Sequence, residues 1–326
     1  MVCRLYQSFL KTLARFRTTP ALAGVVLLAA AMLAGCATPQ VAGLHAQPDP
    51  ALPPRAEIAS VPFFPQEDYQ CGPAALAMVL RYAGVETSPE ALLKQVYLPG
   101  REGSLQAEML SGARRHGLVA YQLSTRLSDL LKEIAAGHPV VVFQNLSFSF
   151  SPVWHYAVAI GYDLDRDELV LRSGVTQRLT ITLSNFERTW ARGRHWAMVP
   201  LRPWQLPVTA TADGYVRAVA ALERLDPAAA RQAYESALAR WPGHVVARVG
   251  LGNAAYAMRD LVAAEQAYRR ATQEHPKAAD AWNNLAQVLL ERGNRSEARE
   301  AALRAIELGG PRLATYRDTL NTIESR

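Results

Sequence analysis

Val61-Pro62-Phe63-Phe64-Pro65-Gln66-Glu67-Asp68-Tyr69-Gln70-Cys71-Gly72-Pro73-Ala74-Ala75 places a cysteine where a proline-marked segment turns into a helix. The apolar run opening at Cys71-Gly72-Pro73 continues to Tyr82 and stops at Gly84. Proline is tolerated near a helix start, where its missing N–H would have had no partner. The first amides of a helix have no internal acceptor, and that positive end favours thiolate, so the sequence predicts a lowered pKa for Cys71. Gly72 allows a substrate backbone to approach. Gln66, five residues upstream, is positioned to set its side-chain amide beside the Cys71 backbone N–H, and two such donors form an oxyanion hole.

Working outward, the pattern is mixed from about residue 57 to 203. Ser88 caps a second helix with Pro89 at its first position; a third starts at Ser104 and ends before Gly117, and a fourth runs from Ser128 to Gly137. Residues 139–143, 155–162, 168–172 and 178–183 are short runs rich in β-branched and aromatic residues, and Asp163 to Asp167 form a turn between the second and third. A short helix capped by Ser184 and Glu187 and a last strand around 196–199 complete the set. Helices first and an antiparallel sheet behind predict an α+β domain.

A nucleophilic cysteine needs a base. Of seven histidines, His45 lies in a proline-rich segment, His116 and His138 at helix ends, and His244 and His275 in the C-terminal third. His155 opens a strand directly after the Ser- and Phe-rich stretch 146–153, where Phe148, Phe150 and Trp154 either line a substrate cleft or cover the core. His195 sits between Arg194 and Trp196 in what reads as a surface turn. His155 is therefore the candidate base.

Beyond residue 210 the period changes. Ala230, Tyr234, Ala237 and Pro242 recur 34 residues later as Ala264, Tyr268, Ala271 and Pro276, and again, weakened, as Ala298, Ala302, Ala305 and Gly310. This is the tetratricopeptide signature. It predicts about three helix pairs and a capping helix across 211–326, an all-α solenoid, and is silent on partner, since such repeats bind peptides, bind proteins or support a neighbour.

At the other end, Arg4, Lys11, Arg15 and Arg17 precede an uncharged apolar run, Ala21 to Leu33, too short to span a bilayer stably, which ends in Leu33-Ala34-Gly35-Cys36. Those four bases supply most of the formal net charge of +6, so the remainder gives no support to nucleic-acid binding. The run resembles a bacterial lipoprotein signal. That resemblance implies a signal peptide over 1–35, lipid on Cys36 as the new N-terminus and, with Ala37 following, anchoring to the periplasmic face of the outer membrane. Residues 36–56, with Pro39, Pro48, Pro50, Pro53 and Pro54, then read as an extended tether. With Cys3 removed and Cys36 capped, Cys71 is the lone thiol in an oxidising compartment.

The segment from Val61 to about Pro203 resembles the papain-like cysteine peptidases that process bacteriocin precursors after a double glycine. Gln66, Cys71-Gly72-Pro73-Ala74 and His155-Tyr156-Ala157-Val158 match that family's oxyanion glutamine, nucleophile helix and histidine strand. The resemblance implies a papain-like domain with Cys71 as nucleophile and His155 as base. Two departures stand out. The glutamine is five residues before the cysteine where transporter-linked members usually show six, and the family's histidine-orienting aspartate is replaced by Arg172-Ser173-Gly174. Asp163, Asp165 and Asp167 lie in a turn ~25 Å from His155 at ~3.3 Å per residue. Ser173 is thus the expected orienter, with Gln144 and Asn145 as alternatives, and a neutral orienter predicts slow or substrate-assisted catalysis.

The expectation is a lipid-anchored periplasmic cysteine peptidase whose repeats recruit a protein substrate or partner. A non-cleaving peptide-binding adaptor is the alternative, and acyl transfer or amide hydrolysis on a nonprotein substrate is a third. No cofactor or metal is expected, since no ligand spacing or glycine-rich phosphate loop occurs.

Overall fold

The computed structural model describes residues 38–66 and 70–325; the expected signal peptide, Cys36 and Cys3 lie outside the described residues. An antiparallel sheet forms the centre of the first domain. Its strands are β1 (Arg55–Glu57), β2 (Val119–Gln122), β3 (Val140–Asn145), β4 (Trp154–Asp163), β5 (Glu168–Ser173), β6 (Thr176–Thr182) and β7 (Ala197–Leu201), in the order β2-β7-β3-β4-β5-β6. β1 pairs with β4 at Gly161 to Asp163, beyond the stretch that pairs with β3. β4 and β5 are joined by the expected turn, which brings the C-terminal end of β5 back toward the start of β4.

The helices are α1 (Pro39–Ala46), α2 (Cys71–Tyr82), α3 (Pro89–Val96), α4 (Gln106–Arg115), α5 (Leu127–Ala135) and α6 (Leu183–Arg192). Every residue of α2 from Gly72 to Leu80 is buried. A helix apolar on all sides belongs inside, and α2 accordingly packs against β4. β2 was not expected: its four residues follow α4 after only three intervening residues.

The segment expected as an extended tether is folded onto the domain. Pro39 starts α1, and the backbone N–H groups of Gln40 and Val41 donate to the carboxylate of Glu187 at 3.0 and 2.8 Å. An anion at a helix N-terminus satisfies amides that the short helix leaves open. The Gln40 side chain donates to Thr125 O and accepts from Leu127 N, Lys132 pairs with Asp49 at 2.6 Å, and Tyr162 donates to Pro53 O. Glu187 is therefore not the reciprocal partner of a cap at Ser184. The cap of α6 is Thr182, whose hydroxyl accepts from Asn185 N.

The C-terminal part is three antiparallel helix pairs and a closing helix: α7 (Ala212–Glu223) with α8 (Pro227–Arg240), α9 (Val245–Ala257) with α10 (Leu261–Glu274), α11 (Ala279–Glu291) with α12 (Arg295–Leu308), then α13 (Leu313–Ser325). Ala230, Ala264 and Ala298, one period apart, are all fully buried where helices cross. One hydrophobic cluster runs from the sheet through Leu118 and Tyr121 into Tyr215, Ala230 and Ala254, and a second is centred on Leu285 and Leu289. The first helix pair thus shares the core of the α+β domain. The connection is pinned by Glu133, fully buried, which accepts from Thr209 N and Thr209 Oγ1 at 2.8 and 2.6 Å and contacts His138 Nδ1 at 2.7 Å.

Candidate active site

Cys71 is the first residue of α2 and half-buried. The backbone N–H groups of Tyr156, Gly72 and Cys71 itself are directed at the sulfur and favour thiolate, yet burial is the larger influence and pushes the thiol up. The lowered pKa expected from the helix end alone is thus reversed: α2 is sunk in the core, and desolvation outweighs the helix amides. Gly72 serves packing. A Cβ there would lie 2.4 Å from Ser104 Oγ and 2.7 Å from its Cβ, so the loop before α4 closes directly on the nucleophile turn.

His155, second residue of β4, faces Gln144 across the β3 pairing. Its Nε2 lies 2.8 Å from Ser173 Oγ, the last residue of β5. Burial pushes His155 down to about 4, so imidazole is neutral at physiological pH. Gln66 is buried and held three ways: Gly174 N donates to its Oε1 at 3.0 Å, its own N donates to Gly174 O at 3.0 Å, and its Nε2 donates to Tyr156 O at 3.3 Å. The four residues singled out from the sequence, Gln66, Cys71, His155 and Ser173, are thereby gathered at one end of the β4–β5 pair.

The two alternatives to Ser173 have other partners. Gln144 Nε2 donates to Thr189 Oγ1 at 2.6 Å. Asn145 Oδ1 accepts from Ser147 N and Val153 N, and its Nδ2 donates to Phe148 O, so it organises the 146–153 hairpin. That hairpin carries Phe148 and Phe150 stacked at 5.3 Å and exposed, while Trp154 stacks on Phe143 at 5.1 Å. His195 sits edge-on against Trp190 at 4.8 Å, after a turn with positive φ.

Sequence reasoning missed two contributors. Tyr156 acts on the site in three ways: its backbone amide favours the Cys71 thiolate, its carbonyl accepts from Gln66, and its hydroxyl donates to Ser104 O at 3.2 Å. Arg172, buried in β5, donates to Ala59 O, Val61 O and Gln177 O, fixing the chain that leads to Gln66 and the hairpin that carries Ser173. A lone arginine within the apolar run Leu169-Val170-Leu171 was the available signal.

Residues 58–198 match the Peptidase_C39 like family, and residues 215–277 and 250–312 match the tetratricopeptide repeat. The chain therefore carries a C39-like peptidase domain followed by tetratricopeptide repeats. No curated protein matches it. Among solved structures, it is similar to a C39-like peptidase from Bacillus anthracis, at 19% identity over 45% of this chain and 98% of that one, TM-score 0.38. It is also similar to a double glycine motif protease from an AMS/PCAT transporter in complex with the leader peptide, at 23% identity over 44% and 93%, TM-score 0.33. The repeats are similar to the Yersinia enterocolitica type III secretion translocator chaperone SycD, at 18% identity over 36% and 87%, TM-score 0.32.

Proposed function

We propose that the chain is a cysteine peptidase of the periplasm, held to the outer membrane by lipid on Cys36, whose repeats recruit a protein substrate or partner. Cys71 attacks the scissile carbonyl carbon while His155, through Nδ1, takes the thiol proton and then delivers it to the leaving amine. The thioester left on Cys71 is hydrolysed by water that His155 activates. The oxyanion is held by the Cys71 N–H and by the Gln66 amide N–H that is not engaged by Tyr156 O. Ser173 holds the imidazole by accepting from Nε2.

The observation that carries this reading is the 2.8 Å contact of Ser173 with His155 Nε2, His155 standing one residue before a tyrosine whose backbone amide favours the Cys71 thiolate. Burial shapes the chemistry. With the thiol pushed up and the imidazole pushed down, the resting pair is neutral thiol and neutral imidazole, and His155 works as a general base during attack. Catalysis is correspondingly slow.

The test is the pH dependence of Cys71 alkylation by iodoacetamide in the full chain, read at the Cys71 peptide by mass spectrometry. The expected profile has a His155-dependent component below pH 8 that vanishes in His155→Ala. Identical profiles overturn the dyad. Cleavage of a degenerate peptide mixture, with Cys71→Ala as the blank, completes the test. A His155-dependent thiol without cleavage favours the adaptor reading, which the neutral Ser173 contact supports.

A further inference from the structure

A cavity of ≈ 320 Å³ opens beside Ser173, bounded by β5, β6 and α6. That volume is at the small end of ligand sites, about 300 to 1,000 Å³. Leu171, Leu179 and Ile181 give it an apolar floor and Arg192 a basic side, Arg188 being engaged with other groups, and no acidic group is among the described residues that line it. Arg192 donates Nε to Asn145 O at 3.1 Å, which fixes the guanidinium plane; its terminal nitrogens have no hydrogen-bond partner among the described residues. A fixed guanidinium fork over an apolar floor matches a carboxylate on a hydrocarbon body. Ser173 forms part of the wall, and after accepting from His155 its hydroxyl still has a proton to donate.

We propose that this cavity binds a carboxylate carried on a short apolar body, held by Arg192 and accepting the Ser173 O–H, so that the ligand supplies behind His155 a negative charge that no described residue places there. The proposal rests on the Cys71–His155 reading. No covalent bond changes at the site. His155 Nε2–H donates to Ser173 Oγ, Ser173 O–H donates to the carboxylate, and the imidazolium formed when Nδ1 takes the Cys71 proton is stabilised through the relay. A peptide C-terminus with an apolar last residue and a free short-chain acid share this chemistry.

The probes are hexanoate and an acetylated dipeptide ending in leucine with a free carboxylate, each against its neutral amide, on the full chain. Binding is read as a rise in Tm, and the relay as a severalfold acceleration of Cys71 alkylation by iodoacetamide at pH 7. Both responses are expected with the acids, absent with the amides, lost in Arg192→Met and partly kept in Arg192→Lys. A larger response to the dipeptide assigns a peptide C-terminus; a larger response to hexanoate assigns a free acid. Absence of any Tm rise overturns the site. A Tm rise without acceleration, in a chain whose Cys71 reactivity does depend on His155, overturns the relay while leaving the peptidase reading intact. A basal rate that drops severalfold in Glu67→Gln/Asp68→Asn, the acids that follow Gln66 in sequence, shows that the chain provides its own charge and also overturns it. Indifference of Cys71 to His155→Ala sinks the peptidase reading instead, and the Tm measurement then still decides the site.

Discussion

Two glycines show how differently the two parts of the molecule are held. A methyl group added at Gly193, after α6, would lie 2.2 Å from the carbonyl oxygen of Phe143 and 2.9 Å from its carbonyl carbon, both backbone of β3. Added at Gly250 in α9, it would lie 2.3 Å from the ring of Tyr234. The first obstacle belongs to a central strand and cannot yield without moving the sheet; the second is a side chain one helix away. The peptidase domain is tied by contacts between segments far apart in sequence, such as Glu187 with Gln40 and Arg172 with Ala59. The repeats are tied chiefly to their neighbours, and damage there stays local.

Gly193→Ala should sharpen this contrast most, with a loss of about 4 kcal/mol in urea unfolding and loss of His155-dependent Cys71 reactivity. Leu289→Ala, in the cluster of the last repeats, should cost about 3 kcal/mol in the transition of those helices and leave Cys71 alkylation at pH 7 unchanged. Equal effects of both on Cys71 would break the distinction. Glu133→Ala probes the junction. It leaves the Thr209 donors and His138 without their partner in a partly buried place and should cost about 2 kcal/mol, splitting unfolding followed by tryptophan fluorescence into two steps.

The smallest effect is one of pH. The folded pKa of His155, about 4, lies below the ordinary 6.5, so the unfolded chain binds the proton first. The contribution is complete above about pH 6.5 and is lost as pH falls toward 4, by about 2 kcal/mol between pH 7 and pH 5. His155→Gln should flatten that part of the stability profile.

What the sequence disclosed follows the same division. The repeats were legible because each small residue at a helix crossing returns after 34 positions, and a local period needs no knowledge of the rest of the fold. The nucleophile helix was legible because the cysteine, glycine, proline and apolar run are adjacent. Ser173 could be placed near His155 because one hairpin turn connects their strands. The α1 helix could not be read, since the group that caps it, Glu187, lies 147 residues from Gln40. The raised thiol pKa was hidden for a similar reason: a helix end is visible in sequence, whereas the depth to which α2 is sunk depends on every element around it.

The docking of α1 also bears on reach. Pro39, where α1 begins, is only three residues after Cys36, and three residues span at most about 10 Å. Under the proposed lipid anchor on Cys36, the C39-like domain would have no leash. Under that proposal it would stay at the bilayer, sweeping a plane instead of a volume, and would meet chiefly those peptides that come to the membrane or that the repeats deliver there.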